Sequence, residues 1–274
     1  MNHKTDTMNS RKEKLEAFGR LLDVLDELRI KCPWDRKQTN ESLRPNTIEE
    51  TYELCDALVK DNKDEICKEL GDVLLHVCFY AKIGSETGDF DIADVCNKLC
   101  DKLIYRHPHV FPKDGAEASS VSTPFQVSEQ WEILKQKEKG GNKTVLSGVP
   151  KHLPTLIKAY RIQDKARNVG FDWEDKREVW NKVKGEISEF EEDIDKTDMA
   201  NAENEFGDVM FSLINAARLY GINPDNALEK TNQKFINRFN YIETKAKEQG
   251  KNVSDLTMKE MDELWDKSKE KGIL

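Results

Sequence analysis

One arrangement of acidic residues occurs twice in the chain and constrains its fold more than any other feature. Glu50-Thr-Tyr-Glu53 is followed by Glu69-Leu-Gly-Asp72, and Glu186-Ile-Ser-Glu189 is followed by Glu205-Phe-Gly-Asp208. Sixteen positions separate Glu53 from Glu69, and sixteen again separate Glu189 from Glu205. Residues three apart share one face of a helix. If each copy is an antiparallel helical hairpin, four acidic side chains converge from facing surfaces. Two such charges 4 Å apart repel by roughly 4 kcal/mol near a protein surface. A hard divalent cation offsets that repulsion, and an all-oxygen donor set without His or Cys favours Mg²⁺, or Mn²⁺, over Zn²⁺. Acidic residues at helical spacing more often form a solvated face. Here, however, each second pair runs into apolar helix (Val73-Leu74-Leu75 and Val209-Met210-Phe211), and Tyr52, Leu54, Ile187 and Phe190 interleave or flank the first pairs. The expected metal ligands are therefore Glu50, Glu53, Glu69 and Asp72 in one copy and Glu186, Glu189, Glu205 and Asp208 in the other.

Apolar residues recur at helical rather than alternating spacing throughout, so the chain reads as all-α, a tandem duplication of a helical bundle. The expected boundaries are a first domain over 11–139, a linker over 140–154 containing Gly140, Gly141, Gly148, Pro150 and Pro154, and a second domain over 155–274. The net charge is −9, and no Lys/Arg block is long enough to track a nucleic-acid backbone, so no nucleic-acid partner is expected. No apolar run approaches the length of a membrane span, and the polar start from Met1 to Arg11 does not resemble a signal peptide. A cytoplasmic protein is expected. The six cysteines, all within the first hundred residues and none in a C-x-x-C pair, read as reduced thiols.

The spacing predicts helices over Lys12–Leu28, Thr47–Lys60 with Thr47 as its N-cap, Asp64–Ile83, Ile92–Arg106 and Val127–Lys139. In the second copy it predicts Thr155–Arg167, Glu178–Asp195, Ala200–Leu219, Asp225–Gln249 and Met258–Lys271. Cys32-Pro-Trp-Asp35, His107-Pro-His109 and Gly170-Phe-Asp-Trp173 read as breaks, Gly84 to Asp89 as a loop, and Pro112 to Pro124 as a mobile segment. His76 reads as a core or helix-surface histidine. Lys102 and Arg106 match Lys234 and Arg238, each pair four apart on one helical face. From Asp72 to Lys102 is 30 positions and from Asp208 to Lys234 is 26, and the four extra residues are assigned to the Gly84–Asp89 loop. Trp131 with Lys135 likewise matches Trp265 with Lys269. Carboxylates for a metal, cations for phosphates and an indole for stacking on a base describe a nucleotide site, although each feature alone is more often structural.

These residues carry a resemblance. Cys32-Pro-Trp-Asp35, Glu49-Glu50-x-x-Glu53 with Glu69-Leu-Gly-Asp72, Arg106-His-Pro-His-Val-Phe111, Asn168-Val-Gly-Phe-Asp-Trp173 and the second carboxylate set together resemble the MazG family over about Leu15 to Lys271. The resemblance implies a tandem of all-α domains, assembled as a homodimer, that splits nucleoside triphosphates into monophosphate and pyrophosphate with Mg²⁺. It also implies that Glu186, Glu189, Glu205 and Asp208 are catalytic, with Lys182, Lys234, Arg238, Trp265 and Lys269 on the nucleotide and Lys102, Arg106 and Trp131 as first-copy counterparts. The chain departs from the family pattern at Gly185, where a second acid is expected before Glu186, and at Asn201, where a lysine is expected. Two rival readings are an enzyme narrowed to a dUTP- or dCTP-type substrate and a non-catalytic helical scaffold that senses nucleotide or binds protein.

Overall fold

The computed structural model describes residues 8–112, 121–138, 143–173 and 175–273, and the chain divides into two compact units, 1–113 and 114–274. Regular structure among the described residues is helical throughout. The first unit holds α1 (Arg11–Lys31), α2 (Asn40–Lys60), α3 (Lys63–Glu86) and α4 (Ile92–Arg106). The second holds α5 (Pro124–Lys137), α6 (Thr155–Arg167), α7 (Lys176–Asp195), α8 (Met199–Leu219), α9 (Pro224–Glu248) and α10 (Met258–Glu270). None of these helices is long and apolar enough to cross a membrane.

Each unit is built on a tight helical hairpin, α2–α3 in the first and α7–α8 in the second. Both turns use a residue in the left-handed region, Asp61 at φ 52° and Thr197 at φ 58°. The next helix starts at once, capped by Asn62, whose Oδ1 accepts from the Asp64 and Glu65 amides, or by Asp198, whose carboxylate accepts from the Asn201 amide. In the first unit Leu25 of α1, Leu43 of α2 and Cys78 and Phe79 of α3 form a buried core. Arg29 fixes the return from α1: it donates to the Asp35 and Gln38 carbonyls at 2.5 and 3.0 Å, and to both carboxylate oxygens of Glu86 at 2.7 and 2.8 Å. The Cys32-Pro-Trp-Asp35 break is therefore a clamped turn. In the second unit Val179 and Val183 of α7 pack with Ala216 of α8, and Ile242, Ala246, Leu256 and Leu264 form a separate core between α9 and α10.

Three expectations are corrected. Helix α2 begins at Asn40, with Thr39 and Ser42 forming a reciprocal capping box, so Thr47 lies inside the helix. Pro45, six residues in, costs one intrahelical hydrogen bond without ending the helix. Helix α3 passes through Gly84 and Ser85, so three of the four extra residues of the first copy lengthen this helix and one lengthens the loop after it. The reason is local. A Cβ on Gly84 would lie 2.8 Å from the Phe90 ring, so glycine makes room for the aromatic residue that closes the following loop. Helix α5 begins at Pro124 behind the Thr123 N-cap.

The expected first domain ran to residue 139, but α5 falls in the second unit. There Glu132 lies buried against Lys165 of α6 at 2.7 Å. Burial pushes the Glu132 carboxyl up, and hydrogen bonds from Lys135 and Lys165 outweigh it, holding the group below the usual carboxylate range. The expected linker contains a 3₁₀ turn at Val145–Gly148. The expected mobile stretch and the helix end at Lys139 fall largely or wholly outside the described residues.

Gly71 also lies inside α3, but a Cβ there would meet nothing within 4 Å. Gly71→Ala is expected to stabilise the first unit by about 0.5–1 kcal/mol through helix propensity. Gly84→Ala is expected to destabilise it by about 1 kcal/mol because the Phe90 ring must move. Urea denaturation followed by circular dichroism separates the two; equal shifts of the same sign would contradict this account of Gly84.

Candidate functional site

The two hairpins bring carboxylates together at the same relative positions. In the first unit Glu50 of α2 meets Glu69 and Asp72 of α3, each offering an oxygen within 4.8 Å of the others. In the second unit Glu186 of α7 meets Glu205 and Asp208 of α8 on the same criterion. Three of the four expected ligands thus converge in each copy. Glu53 and Glu189 stay exposed outside the groups, though their charges reach them: Glu53 acts on Glu50, and Glu189 acts on Glu205.

At that spacing each pair of charges repels by about 3 kcal/mol at an effective dielectric near 20. Glu50 is accordingly pushed above the usual carboxylate range, first by burial and then by Asp72, Glu53, Glu69 and Glu49. Glu205 is raised first by desolvation and then by Glu189, Asp208, Asp193 and Glu186. A resident lysine relieves part of the strain. Lys68 donates to Glu69 Oε1 at 2.8 Å, and Lys182 pairs with Glu186 one helical turn away. The hydrogen bond to Glu186 is also the main cause of the raised pKa of Lys182.

The copies differ in which helix carries the buried member. Glu69 on the second helix of its hairpin is buried with Lys68 beside it, whereas Glu186 on the first helix of its hairpin is buried with Lys182 beside it. The positions related by the repeat offset are Asn204 for Lys68 and Asn46 for Lys182. The lysine follows the buried carboxylate. Only one oxygen of Glu69 is satisfied, and Oε2 is buried without a hydrogen-bond partner. An unpaired buried carboxylate oxygen facing two more carboxylates fits a hard cation held by oxygen donors.

Behind the first triad lies a polar group with no counterpart in the second. Thr47 Oγ1 is 3.0 Å from the Leu43 carbonyl, 2.9 Å from His76 Nδ1 and 2.6 Å from Tyr80 Oη. The carbonyl can only accept, so it takes the single Thr47 proton, and both His76 Nδ1–H and the Tyr80 hydroxyl donate to Thr47. His76 is buried, as expected for a core histidine, and burial lowers its pKa. The repeat-related residues are Val183, Ser212 and Ala216.

The expected phosphate and base groups have contacts of their own. Arg238 of α9 donates from Nε to the Ile273 carbonyl at 3.0 Å, with its guanidinium 5.6 Å from the Trp265 ring. Trp265 packs on Phe235 with centroids 5.2 Å apart, and Lys269 pairs with Asp266 at 2.9 Å. Lys234 is half-buried on α9. Among the described residues none of these four makes a hydrogen bond or ion pair with the carboxylates. In the first unit Lys102 is exposed and Arg106 half-buried, one turn apart on α4. Trp131 is half-buried on α5, in the second unit. The Trp131/Lys135 match to Trp265/Lys269 does not extend to surroundings, since Lys135 serves the buried Glu132 at 2.8 Å.

The sequence reading missed Lys68, whose only signal was adjacency to Glu69. It also missed the use of the Asn168–Trp173 segment. Asp172 of that segment takes a two-pronged ion pair from Arg218 of α8, with Nη1 to Oδ2 at 3.0 Å. Gln163 of α6 donates to the Phe211 carbonyl at 2.8 Å, tying α6 to the carboxylate helix.

A duplicated all-α hairpin that gathers acidic side chains at one level, with a lysine on the buried member, places the chain among the all-α nucleotide pyrophosphohydrolases. The family model for the MazG nucleotide pyrophosphohydrolase domain matches residues 38–111 and 175–242, one hairpin each. The chain is 41% identical over 261 residues to a nucleoside triphosphate pyrophosphohydrolase/pyrophosphatase MazG of Thermotoga maritima, covering 94% of this chain and 98% of that protein. It is 39% identical over 266 residues to a nucleoside triphosphate pyrophosphohydrolase of Escherichia coli K12, covering 94% and 99%. It is also 44% identical over 266 residues to the uncharacterized protein YabN of Bacillus subtilis, covering 95% of this chain and 53% of that one. The chain belongs to the MazG family.

The raised pKa values carry a sign. A carboxyl whose folded-state pKa lies above its unfolded value contributes stability below the unfolded pKa and loses it as pH rises through the folded one. Without divalent cation, Glu50 and Glu205 therefore weaken the fold as pH rises from about 4 through their raised pKa values. Added Mg²⁺ or Mn²⁺ is expected to raise Tm at pH 7 and to have little effect near pH 4, and Glu69→Gln with Glu205→Gln should abolish the rise. A Tm insensitive to cation at pH 7 would remove the metal assignment.

Proposed function

We propose that the chain hydrolyses ribo- and deoxyribonucleoside triphosphates, with broad base specificity, to the monophosphate and pyrophosphate in a Mg²⁺-dependent reaction that clears the nucleotide pool. The observation that carries this is the convergence of Glu186, Glu205 and Asp208, repeated by Glu50, Glu69 and Asp72, in a chain that matches named nucleoside triphosphate pyrophosphohydrolases over nearly its whole length. The three carboxylates of each copy would hold the ion, and Glu189 and Glu53 stand beside them. The cation supplies charge neutralisation at the phosphate oxygens and lowers the pKa of bound water.

The chain's own groups do the rest. Exposed Asp208 or Glu189 takes a proton from the attacking water. The water oxygen forms a new bond to one phosphorus of the α–β bridge, that phosphorus's bond to the bridging oxygen breaks, and the bridging oxygen leaves on the other phosphate with the electron pair, giving monophosphate and pyrophosphate. Lys182, one turn from Glu186 on α7, would turn its ammonium to the phosphates. Lys234 and Arg238 neutralise the departing pyrophosphate.

Two observations support a homodimer in the cytoplasm. Large apolar side chains remain exposed along the second unit's helices, among them Phe206, Phe211 and Phe235 at 52%, 43% and 56%, and a second copy of the chain would cover them. Cys55, Cys67, Cys96 and Cys100 are exposed free thiols, which suits a reducing compartment.

Product analysis tests the reaction. With Mg²⁺ and a panel of NTPs and dNTPs, monophosphate and pyrophosphate should appear in equal amounts. Diphosphate with orthophosphate would replace this chemistry by another. Glu205→Gln and Glu69→Gln, singly and together, apportion the activity. The double variant should lose at least a hundredfold in kcat, and a double variant as active as the parent would sink the ligand assignment.

A further inference from the structure

The turn that ends α4 holds two imidazoles side by side that the proposed hydrolysis does not use. His107 and His109 have ring centroids 5.6 Å apart and planes tilted by 52°, so the rings are not stacked face to face. We propose that this pair is a metal site distinct from both carboxylate triads, taking a borderline transition-metal dication such as Zn²⁺ through one nitrogen of each ring, with water completing the shell. The site goes beyond the hydrolase reading and does not depend on it.

Local backbone geometry builds it. His107 follows the last residue of α4 and leaves the helical region, at φ −122° and ψ 56°. Its amide still donates to the Ile104 carbonyl at 3.3 Å, while its own carbonyl accepts from the Val110 amide at 2.9 Å and the Phe111 amide at 2.8 Å. Between the two histidines Pro108 fixes one backbone dihedral near about −65°. The chain thus closes over 107–111 on its own hydrogen bonds, and the two rings are brought together by sequence neighbours alone. Both side chains are half-buried, which restricts how far either can swing.

The ring chemistry follows from one hydrogen bond. His107 Nδ1 lies 2.6 Å from the Leu103 carbonyl. A carbonyl can only accept, so Nδ1 carries the proton and the neutral ring has its lone pair on Nε2. Metal-binding histidines are commonly held in this way, the second nitrogen donating to a backbone carbonyl that sets the tautomer and orients the ring. The separation fits as well. Imidazole nitrogens sit about 2.0–2.1 Å from zinc and each ring centre about 1 Å further on, so two rings on one tetrahedral ion have centres about 5.2 Å apart. A small side-chain rotation closes the difference from 5.6 Å. The pair also lies at the C-terminal end of α4, where the last carbonyls favour a positive charge.

Donor type separates this site from the triads. Imidazole suits Zn²⁺ and its neighbours, whereas Mg²⁺ keeps oxygen ligands, so the first unit would sort two kinds of dication. With two protein ligands rather than four, the site fills when the ion is supplied and is not a structural ion that the fold requires. It belongs to the first copy alone. By the offset that pairs Arg106 with Arg238, the related residues of the second copy are Phe239 and Tyr241, inside the longer helix α9.

The test titrates Zn²⁺ calorimetrically into the full chain, without an added histidine tag, carrying Glu69→Gln and Glu205→Gln to weaken the triads. Into that chain go His107→Gln, His109→Gln and, as a control, His152→Gln, an exposed histidine of the other unit. His107→Gln and His109→Gln should each remove one equivalent of bound Zn²⁺, and His152→Gln none. Zn²⁺ binding equal in all four chains, or none in any, would overturn the site. The comparison is among histidine variants of one chain, so its result does not turn on the triads. A variant that loses the turn itself is recognised in the unsubstituted chain by ¹⁵N NMR of the imidazoles. There His107 Nε2 and one nitrogen of His109 should shift with Zn²⁺ and not with Mg²⁺. If either ring is unmoved by Zn²⁺, the pair is only a helix-ending turn.

Discussion

Three carboxylates held within 4.8 Å of one another, twice in one chain, are the condition to which the rest of the structure answers. The arrangement is unfavourable in isolation, because each pair repels and one member of each set is buried. Helix hairpins with short, capped turns make it tolerable. They fix the facing side chains by backbone geometry, so the groups cannot relax apart by moving a loop. The Leu25, Leu43, Cys78 and Phe79 core and the Arg29 clamp anchor α3 in the first unit, and the Val179, Val183 and Ala216 contact anchors α7 on α8 in the second. Apolar packing away from the site thus holds the acidic groups in place.

The resident lysines show how such a cluster is kept from unfolding its own hairpin. A buried Glu without a partner is the costliest member of the set, and in each copy the lysine lies on that residue rather than on the exposed carboxylates. The lysine changes helix between the copies because the buried Glu does. A lysine is a weaker counter-ion here than a divalent cation would be, for it carries one charge and leaves Glu69 Oε2 unsatisfied. A single flexible side chain can also leave by rotation, which a packed arginine could not do as readily.

Much of this was legible in the sequence because it depends on spacing. The 3.6-residue period placed both carboxylates of a pair on one helix face, and the sixteen-residue interval suited a hairpin, so the all-α duplication and the convergence of three of the four expected carboxylates in each copy could be read directly. What escaped reading depended on contacts between distant residues. Thr47 resembled an N-cap because Glu50 follows three residues later, yet the helix had already begun at Asn40. Gly84 resembled a loop because nothing local reveals that Phe90 returns to occupy the space of its missing side chain. Helix α5 follows the first copy in sequence, but its buried Glu132 needs Lys165, which only the second unit supplies. Trp265 and Arg238 matched a nucleotide-binding pattern by type, and spacing alone did not show their contacts with Phe235 and the Ile273 carbonyl.

The two copies also show which features a duplicated site must keep and which it can lose. The interval between acidic pairs is identical because a one-residue change would rotate a carboxylate by about 100° away from its partners. The surroundings carry no such restriction. Behind the first triad Thr47 accepts from His76 and Tyr80, while the related positions in the second unit hold Val183, Ser212 and Ala216, and Ser212 spends its proton on the Val209 carbonyl. Behind the first triad the His76 Nδ1 proton is committed to Thr47, whereas near the second Gln163 of α6 donates to the Phe211 carbonyl of α8. The shared hairpin fixes where the carboxylates converge, and the unshared neighbours set different polar groups beside each copy.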